Sequence, residues 1–186
     1  GPYPCRLRPE AAIRAELAER GLCPERRVIV YGDRHSWGAE GRLYWLLAEL
    51  GFSDLALLNG GYEAWRRAGG ETAAIFADHQ PPCPALNGAG TPTLEQTLAR
   101  LTADQLQPAQ ARGEIIFLDV RSLEEYQGAI LYGEKRGGRL PEALHFHWQD
   151  FWREDYCLRD AATILAGLRH SGLPGPAAMG ERTIVV

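Results

Sequence analysis

Residues 27–31 read Arg-Val-Ile-Val-Tyr, a short run of β-branched side chains with charge on one side and Gly32 on the other. Such a run predicts a buried strand. A polar loop from Gly32 to Gly38 follows it and leads to a predicted helix over residues 39–50, whose leucines share one face. A strand that feeds a loop and then a helix is the first part of a unit that builds parallel sheet.

The neighbouring segments continue this alternation of strand and helix. Residues 55–58 predict a second strand, Asn59-Gly60-Gly61 a sharp turn, and residues 62–68 a short helix. On the N-terminal side, residues 9–20 predict a helix with Gly21 just past its end. Strands and helices that alternate through short loops predict an α/β fold, a parallel sheet flanked by helices.

Periodicity disappears after residue 71, and the prolines and glycines of residues 76–90 predict an interdomain linker. Regular patterns then resume, and several helices and strands are predicted in this second half. They are a helix over 94–106 opened by a Thr93 and Gln96 capping box, a strand over 115–118 that leads into Asp119, a one-turn helix capped by Ser122 and Glu125, a strand over 143–146, a helix over 160–170 and a strand over 183–186.

One pattern occurs twice in the chain. A helix, a glycine, a polar stretch and a β-branched strand span residues 9–31 and recur in residues 160–186. The first copy continues into a loop, a helix and a strand, whereas the second copy stops at its own strand. We therefore predict the C-terminal part of one domain over residues 1–75 and, after the linker, the N-terminal part of another over 91–186, so that both domains are incomplete.

Length and composition limit the function classes. The chain has 186 residues, which is more than one domain and less than two at about 150 residues each. Its 45% hydrophobic and 24% charged residues are typical of a soluble globular protein and not of a membrane bundle. A net charge of -4 argues against nucleic acid or an anionic membrane as a partner. The four scattered cysteines favour the cytoplasm and leave the periplasm open, while the oligomeric state is not predicted.

Three stretches of the chain resemble the rhodanese-like sulfurtransferases, specifically the tandem-domain thiosulfate or 3-mercaptopyruvate sulfurtransferase type. They are residues 28–31 with 41–47, residues 57–65, and residues 118–128 with 137–143. The resemblance implies transfer of sulfane sulfur from a small anionic donor, thiosulfate or 3-mercaptopyruvate, through a cysteine persulfide to cyanide or a thiol. It implies neither a metal nor an organic cofactor.

In that family the persulfide cysteine opens the loop after the central strand, where backbone N–H groups at a helix N-terminus stabilise a thiolate. In the first domain Gly32 and Asp33 stand at this place. The resemblance therefore implies that Gly32, Asp33, Arg34 and His35 form an inactive loop. In the second domain the cysteine is expected immediately after Val186, so this chain alone is expected to be inactive.

The resemblance also implies pocket residues in the second domain. Asp119 and Arg121, at the end of a predicted strand, would help to frame the active loop, although an ion pair between Arg121 and Glu125 is the plainer interpretation. Trp148 matches a tryptophan near the active pocket of similar enzymes, and core packing is its alternative role.

The motif that ends the third stretch departs from the family pattern in two places. Arg139 stands where the family often has a histidine, and Glu142 replaces a glycine. Arg139, together with Lys135 and Arg136, is a candidate to attract the anionic donor, whereas a solvated charged loop is the commoner explanation.

A histidine pair offers a possible metal site. His145 and His147 alternate along a predicted strand but have no visible third partner for a metal.

A non-catalytic rhodanese-like module, used for binding or for sulfur-carrier docking, is the alternative to an enzyme. The residues that follow Val186 would distinguish the two.

Overall fold

The computed structural model describes residues 8–73, 82 and 101–186. The chain divides into two compact units, Gly1–Ala99 and Arg100–Val186. Apart from Pro82, the predicted linker over residues 76–90 lies outside the described residues, so the proposed domain boundaries stay a prediction.

The first unit contains the strands and helices that its sequence pattern predicts, with ends that differ by one or two residues. They are α1 (Glu10–Glu19), β1 (Val28–Val30), α2 (Ala39–Glu49), β2 (Leu55–Leu57) and α3 (Gly61–Arg67). β1 and β2 pair in parallel, with Val28 opposite Leu55 and Val30 opposite Leu57. The α/β class with parallel sheet is therefore confirmed.

The core of this unit forms where α2 covers the sheet. Leu47 is 1% exposed and Phe52 2% exposed, and both belong to a cluster that includes Val30 and Ile13. The leucine spacing of α2 places its apolar side chains on one face, which is why this face packs on the strands. With 11 residues, α2 is the longest described helix, and no helix in the described ranges is long and apolar enough to span a bilayer.

The second unit has a three-stranded parallel sheet, in which β3 (Ile115–Asp119) lies between β4 (Leu144–His145) and β5 (Thr183–Val185). Ile116, Phe117 and Leu118 of β3 are buried, as expected of a central strand. In chain order the elements are α4 (Ala103–Ala111), β3 (Ile115–Asp119), α5 (Leu123–Gln127), β4 (Leu144–His145), a 3₁₀ turn (Trp148–Phe151), α6 (Ala161–His170), α7 (Pro176–Met179) and β5 (Thr183–Val185).

The predicted helix over residues 94–106 is wrong in its bounds. The observed α4 begins at Ala103, after a capping box made by Thr102 and Gln105, and it continues through Pro108 to Ala111. The predicted capping box of Thr93 and Gln96 lies outside the described residues. The sequence pattern ends the helix early because proline lacks the N–H that a helix interior uses.

Helix caps elsewhere in this unit confirm the sequence pattern. Ser122 and Glu125 form the predicted capping box at α5, and Asp160 accepts a hydrogen bond from the N–H of Thr163 at 2.9 Å at the start of α6. The 3₁₀ turn and α7 have no counterpart in the sequence prediction, because four residues are too few to show a period.

The two copies of the predicted repeat end their helices in the same way. Gly21 and Gly172 have φ angles of 74° and 96°, which glycine adopts without the cost of a Cβ. The residue after each glycine donates back into its helix, Leu22 to Leu17 at 2.9 Å and Leu173 to Leu168 at 3.0 Å. The repeat is therefore visible in hydrogen bonds as well as in sequence.

Candidate functional site

The carboxyl edge of the second sheet gathers most of the candidate residues. Asp119, the last residue of β3, lies opposite His145 at the end of β4. On the other side of β3, Val185 lies opposite Phe117, so Val186 leaves β5 towards the same edge. Ligands of open parallel sheets bind beyond the carboxyl ends of the strands, which makes this edge the candidate site.

Asp119 and Arg121 form a two-pronged ion pair at this edge. Arg121 Nη2 donates to Asp119 Oδ2 at 2.6 Å and Nε donates to Oδ1 at 3.0 Å, while the backbone N–H of Arg121 also donates to Oδ1 at 3.1 Å. The predicted ion pair between Arg121 and Glu125 is not formed. Glu125 instead accepts from the N–H of Ser122 at 3.1 Å, because the capping box uses its carboxylate.

The charge state of this pair follows from its surroundings. Burial by itself would raise the pKa of Asp119, but the side-chain and backbone hydrogen bonds from Arg121 outweigh it and hold that pKa below its usual value. The same carboxylate raises the pKa of Arg121. Both groups are therefore charged at neutral pH, and the pair is a fixed element of the edge.

Arg121 makes one further contact, to a distant segment of the chain. Its Nη2 donates to the carbonyl oxygen of Gly138 at 2.8 Å. The segment over residues 128–139, called here the 128–139 loop, is also closed at its base. A Cβ added to Gly137 would lie 1.9 Å from the carbonyl oxygen of Gly128, so the two backbones touch where only glycine fits.

Arg139, at the end of this loop, stacks on Tyr126 of α5. Its guanidinium carbon lies 4.3 Å from the ring centroid, and its Nη1 donates to the Tyr126 carbonyl oxygen at 3.2 Å. The Tyr126 ring also lies 4.7 Å from the His145 ring, and its hydroxyl donates to the carbonyl oxygen of Ala143 at 2.8 Å. Tyr126 thus joins α5, β4 and the 128–139 loop.

Trp148 lies at the same edge through its backbone. Its N–H donates to the carbonyl oxygen of Val120 at 2.9 Å, directly after β3. The half-buried indole meets the His147 ring edge-on, with centroids 6.0 Å apart. The side chain therefore combines packing with partial exposure.

These contacts bring three of the four predicted pocket residues together. Asp119 and Arg121 touch directly, and Arg139 follows the glycine that Arg121 binds. The sequence prediction missed Tyr126 as a partner of Arg139, because the two residues are 13 positions apart and only the folded loop brings them together. The one available signal was the position of Tyr126 in the helix that directly follows β3.

The loop after β1 in the first unit holds a carboxylate at its start. Asp33 Oδ1 accepts from the backbone N–H of His35 at 2.8 Å and from the Ser36 hydroxyl at 3.1 Å. These bonds, from the His35 N–H first, lower the pKa of Asp33. Arg34 Nε lies 3.3 Å from His35 Nε2, and the carbonyl oxygen of Gly32 accepts from the Tyr62 N–H at 2.9 Å. The N–H of His35 thus already has an anionic partner within the loop.

The cysteines and histidines in the described ranges do not form a catalytic or metal site of the kind that the sequence left open. Cys23 is buried and disulfide-bonded, and Cys157 is free in a turn where its carbonyl accepts from the Arg153 N–H at 2.8 Å. Neither opens a loop directly after a strand. His145 Nε2 lies 2.9 Å from the carbonyl oxygen of Arg121. Within the described residues no cluster of three or more His, Cys, Asp or Glu side chains has metal-binding geometry.

Comparisons with known proteins agree with this architecture. Residues 3–68 match the family described as the rhodanese-like domain. The chain is 31% identical over 144 residues to a thiosulfate sulfurtransferase of Corynebacterium glutamicum, an alignment that covers 73% of this chain and 46% of that protein. It is 25% identical over 162 residues to the sulfur carrier protein TtuD of Thermus thermophilus, covering 82% of this chain and 55% of that protein.

A solved structure shares the fold. It is the anaerobic ergothioneine biosynthesis enzyme of Chlorobium limicola, with a TM-score of 0.73, 22% identity, and coverage of 91% of this chain and 43% of that one. The chain spans about half the length of the curated relatives it matches.

Proposed function

This chain belongs to the rhodanese-like family, and from that premise we propose that the intact protein is a sulfurtransferase. It moves sulfane sulfur from thiosulfate or 3-mercaptopyruvate, through a cysteine persulfide, to cyanide or a thiol. The catalytic cysteine follows Val186 in the intact protein.

The chemistry needs one thiolate and is balanced in two steps. The cysteine thiolate attacks the outer sulfur of thiosulfate, a new S–S bond forms, and the S–S bond of the donor breaks to release sulfite. Cyanide or a thiolate then attacks the outer sulfur of the persulfide, and the cysteine thiolate leaves unchanged. With 3-mercaptopyruvate the C–S bond breaks instead, and pyruvate is released after proton uptake.

The register of the second sheet is the observation that carries this proposal. Val185 lies opposite Phe117, so a residue after Val186 enters the edge at the level of Asp119. A loop that begins there would have the exposed Arg139 guanidinium on a neighbouring segment, while Asp119 and the Gly138 carbonyl oxygen hold the Arg121 guanidinium. Cationic groups at the mouth of the loop favour an anionic donor and stabilise a thiolate.

We assign separate roles to the four pocket residues. Arg139 attracts the donor, since its side chain is exposed while Tyr126 holds its guanidinium at a fixed place. Asp119 and Arg121 frame the active loop from the end of β3, and Trp148 provides an apolar wall beside it.

The first domain is proposed to be non-catalytic. In its loop over residues 32–35, Gly32 and Asp33 stand where the family cysteine would be, and the Asp33 carboxylate accepts from the N–H of His35. The alternative to an enzyme is a non-catalytic module for binding or sulfur-carrier docking, and the similarity of 82% of this chain to a protein named as a sulfur carrier supports that alternative.

Thiocyanate formation from thiosulfate and cyanide tests the proposal in the intact protein. We expect activity that disappears when the cysteine after Val186 is replaced by serine, and no activity from the 186-residue chain. Activity of the 186-residue chain that persists after replacement of all four of its cysteines would contradict the proposal. Absence of a cysteine among the first residues after Val186 would favour the non-catalytic module.

A further inference from the structure

We infer that Arg121 is a positioning residue: it fixes the 128–139 loop so that Arg136 and Arg139 face an anionic sulfur donor with a preset geometry. This inference rests on the proposed sulfurtransferase function. It assigns Arg121 to the loop contact instead of to the donor.

The use of the Arg121 guanidinium is the first argument. Its Nε and one Nη2 hydrogen hold Asp119, and the second Nη2 hydrogen holds the carbonyl oxygen of Gly138. Asp119 is anchored in turn, because it is the last residue of the central strand β3. The end of β3 is thus connected through two charged groups to a loop carbonyl that lies 17 residues beyond Arg121.

The construction of the loop is the second argument. The contact between Gly128 and Gly137 closes its base, and Arg139 is held by its stacking on Tyr126. The Gly138 carbonyl lies between these two points, so the Arg121 bond removes the remaining freedom of the segment. Lys135 and Arg136 lie on the same closed loop.

The 128–139 loop needs the Arg121 hydrogen bond because the apolar side chains at its tip are exposed. Ile130, Leu131 and Tyr132 are each more than half exposed and contribute little packing energy. Without an anchor at Gly138, the segment would sample many conformations. A cationic loop that is already ordered binds a small anion more tightly than a mobile loop, because binding then does not have to offset the loss of conformational entropy.

The chain offers a matched control at the other end of β3. Arg112 pairs with Glu114 at 2.6 and 2.8 Å, with the same spacing of two residues and the same two-pronged geometry as Arg121 and Asp119. Its side chain bonds only to this sequence neighbour among the described residues, and it fastens no loop. A change at Arg112 therefore removes an ion pair of the same geometry, in a more exposed place, without the contact that the inference depends on.

The experiment compares Arg121→Met, Arg121→Lys, Gly137→Ala and Arg112→Met. Steady-state kinetics of the intact protein give KM for thiosulfate and kcat separately, and amide hydrogen exchange of the 186-residue chain reports order in residues 129–137. For Arg121→Met and Gly137→Ala we expect about a ten-fold rise in KM with kcat within about two-fold, because ground-state binding is what suffers. Exchange in the loop is expected to accelerate about ten-fold in both variants. Arg112→Met should change neither measurement.

Arg121→Lys separates positioning from simple charge. Lysine keeps the positive charge but lacks the planar fork that binds Asp119 and Gly138 together, so its KM should rise as in Arg121→Met. A wild-type KM in Arg121→Lys would overturn the inference, as would unchanged loop exchange in Arg121→Met. If the intact wild-type protein transfers no sulfur, the proposed function fails, and hydrogen exchange alone still decides whether Arg121 orders the loop.

Discussion

The guanidinium carbon of Arg139 lies 4.3 Å from the centroid of the Tyr126 ring. A cation over a tyrosine ring is attracted by the negative face of the π system, and this contact is worth about 0.5–1 kcal/mol at an exposed site. In the resembling family a histidine is frequent at the place of Arg139. Here the arginine lies over an aromatic ring, a contact that Lys135 and Arg136 do not make in the described part of the chain.

The hydroxyl of Tyr126 provides a first prediction. Tyr126→Phe keeps the ring that contacts Arg139 and His145 but removes the donor to the carbonyl oxygen of Ala143, a residue that is 6% exposed. We expect the free energy of unfolding to fall by about 1 kcal/mol in urea denaturation, because a buried acceptor loses its partner. The control is Tyr62→Phe, at a residue that is 37% exposed. Equal stability of both variants would contradict the prediction.

Glu142 provides a prediction in the opposite direction. Its φ angle is 61°, and it follows Pro141 in a turn where the N–H of Ala143 donates to the carbonyl oxygen of Leu140 at 3.2 Å. A turn with proline at its second position and positive φ at its third favours glycine there. Glu142→Gly should therefore raise the free energy of unfolding by about 0.5–1 kcal/mol.

Alanine at position 142 tests the reason for this gain. Glu142→Ala removes the charge but keeps the Cβ, so the backbone strain remains and no comparable stabilisation is expected. If both variants are stabilised equally in thermal melts, the charge and not the backbone is responsible.

The Asp119 pair predicts how stability depends on pH. The pKa of Asp119 is lowered in the folded protein, so the unfolded state binds a proton more readily than the folded state. The stabilisation from this carboxylate is present above its unfolded pKa of about 3.9 and is lost as pH falls through the lower folded pKa. Urea unfolding of the wild type and Asp119→Asn should differ most above about pH 5, and the difference should shrink steadily below about pH 4. A difference that grows in acid would show that the sign is wrong.

The core of the first unit provides a prediction about side-chain burial. Leu47 is 1% exposed at the centre of its cluster, so Leu47→Ala should lower the free energy of unfolding by about 2–5 kcal/mol. Leu43 lies on the same helix and is 42% exposed. Leu43→Ala should cost less than about 1 kcal/mol, since little buried surface is lost. Similar losses in the two variants, measured by chemical denaturation, would contradict the difference in burial between Leu43 and Leu47.

The local features of this chain could be predicted from its sequence because each depends only on residues that are close along the chain. The Ser122 and Glu125 capping box, the Asp160 cap and the glycine after each repeated helix all act within a few residues. The predicted 94–106 helix was wrong in the part that the structure describes, because Thr102 and Gln105 form a capping box that starts α4 at Ala103.

The sequence by itself determined the α/β class, the parallel strands, the repeated helix and strand, and the resemblance to the rhodanese-like family. Only the tertiary structure decided the partners of the charged residues. Arg121 binds Asp119 and Gly138 and not Glu125, and Arg139 stacks on Tyr126. The physical reason is that hydrophobic periodicity shows which face of a helix or strand is buried. An ion pair or a stacking contact depends instead on which residues a loop brings back to the sheet. The register of the whole sheet decides that placement.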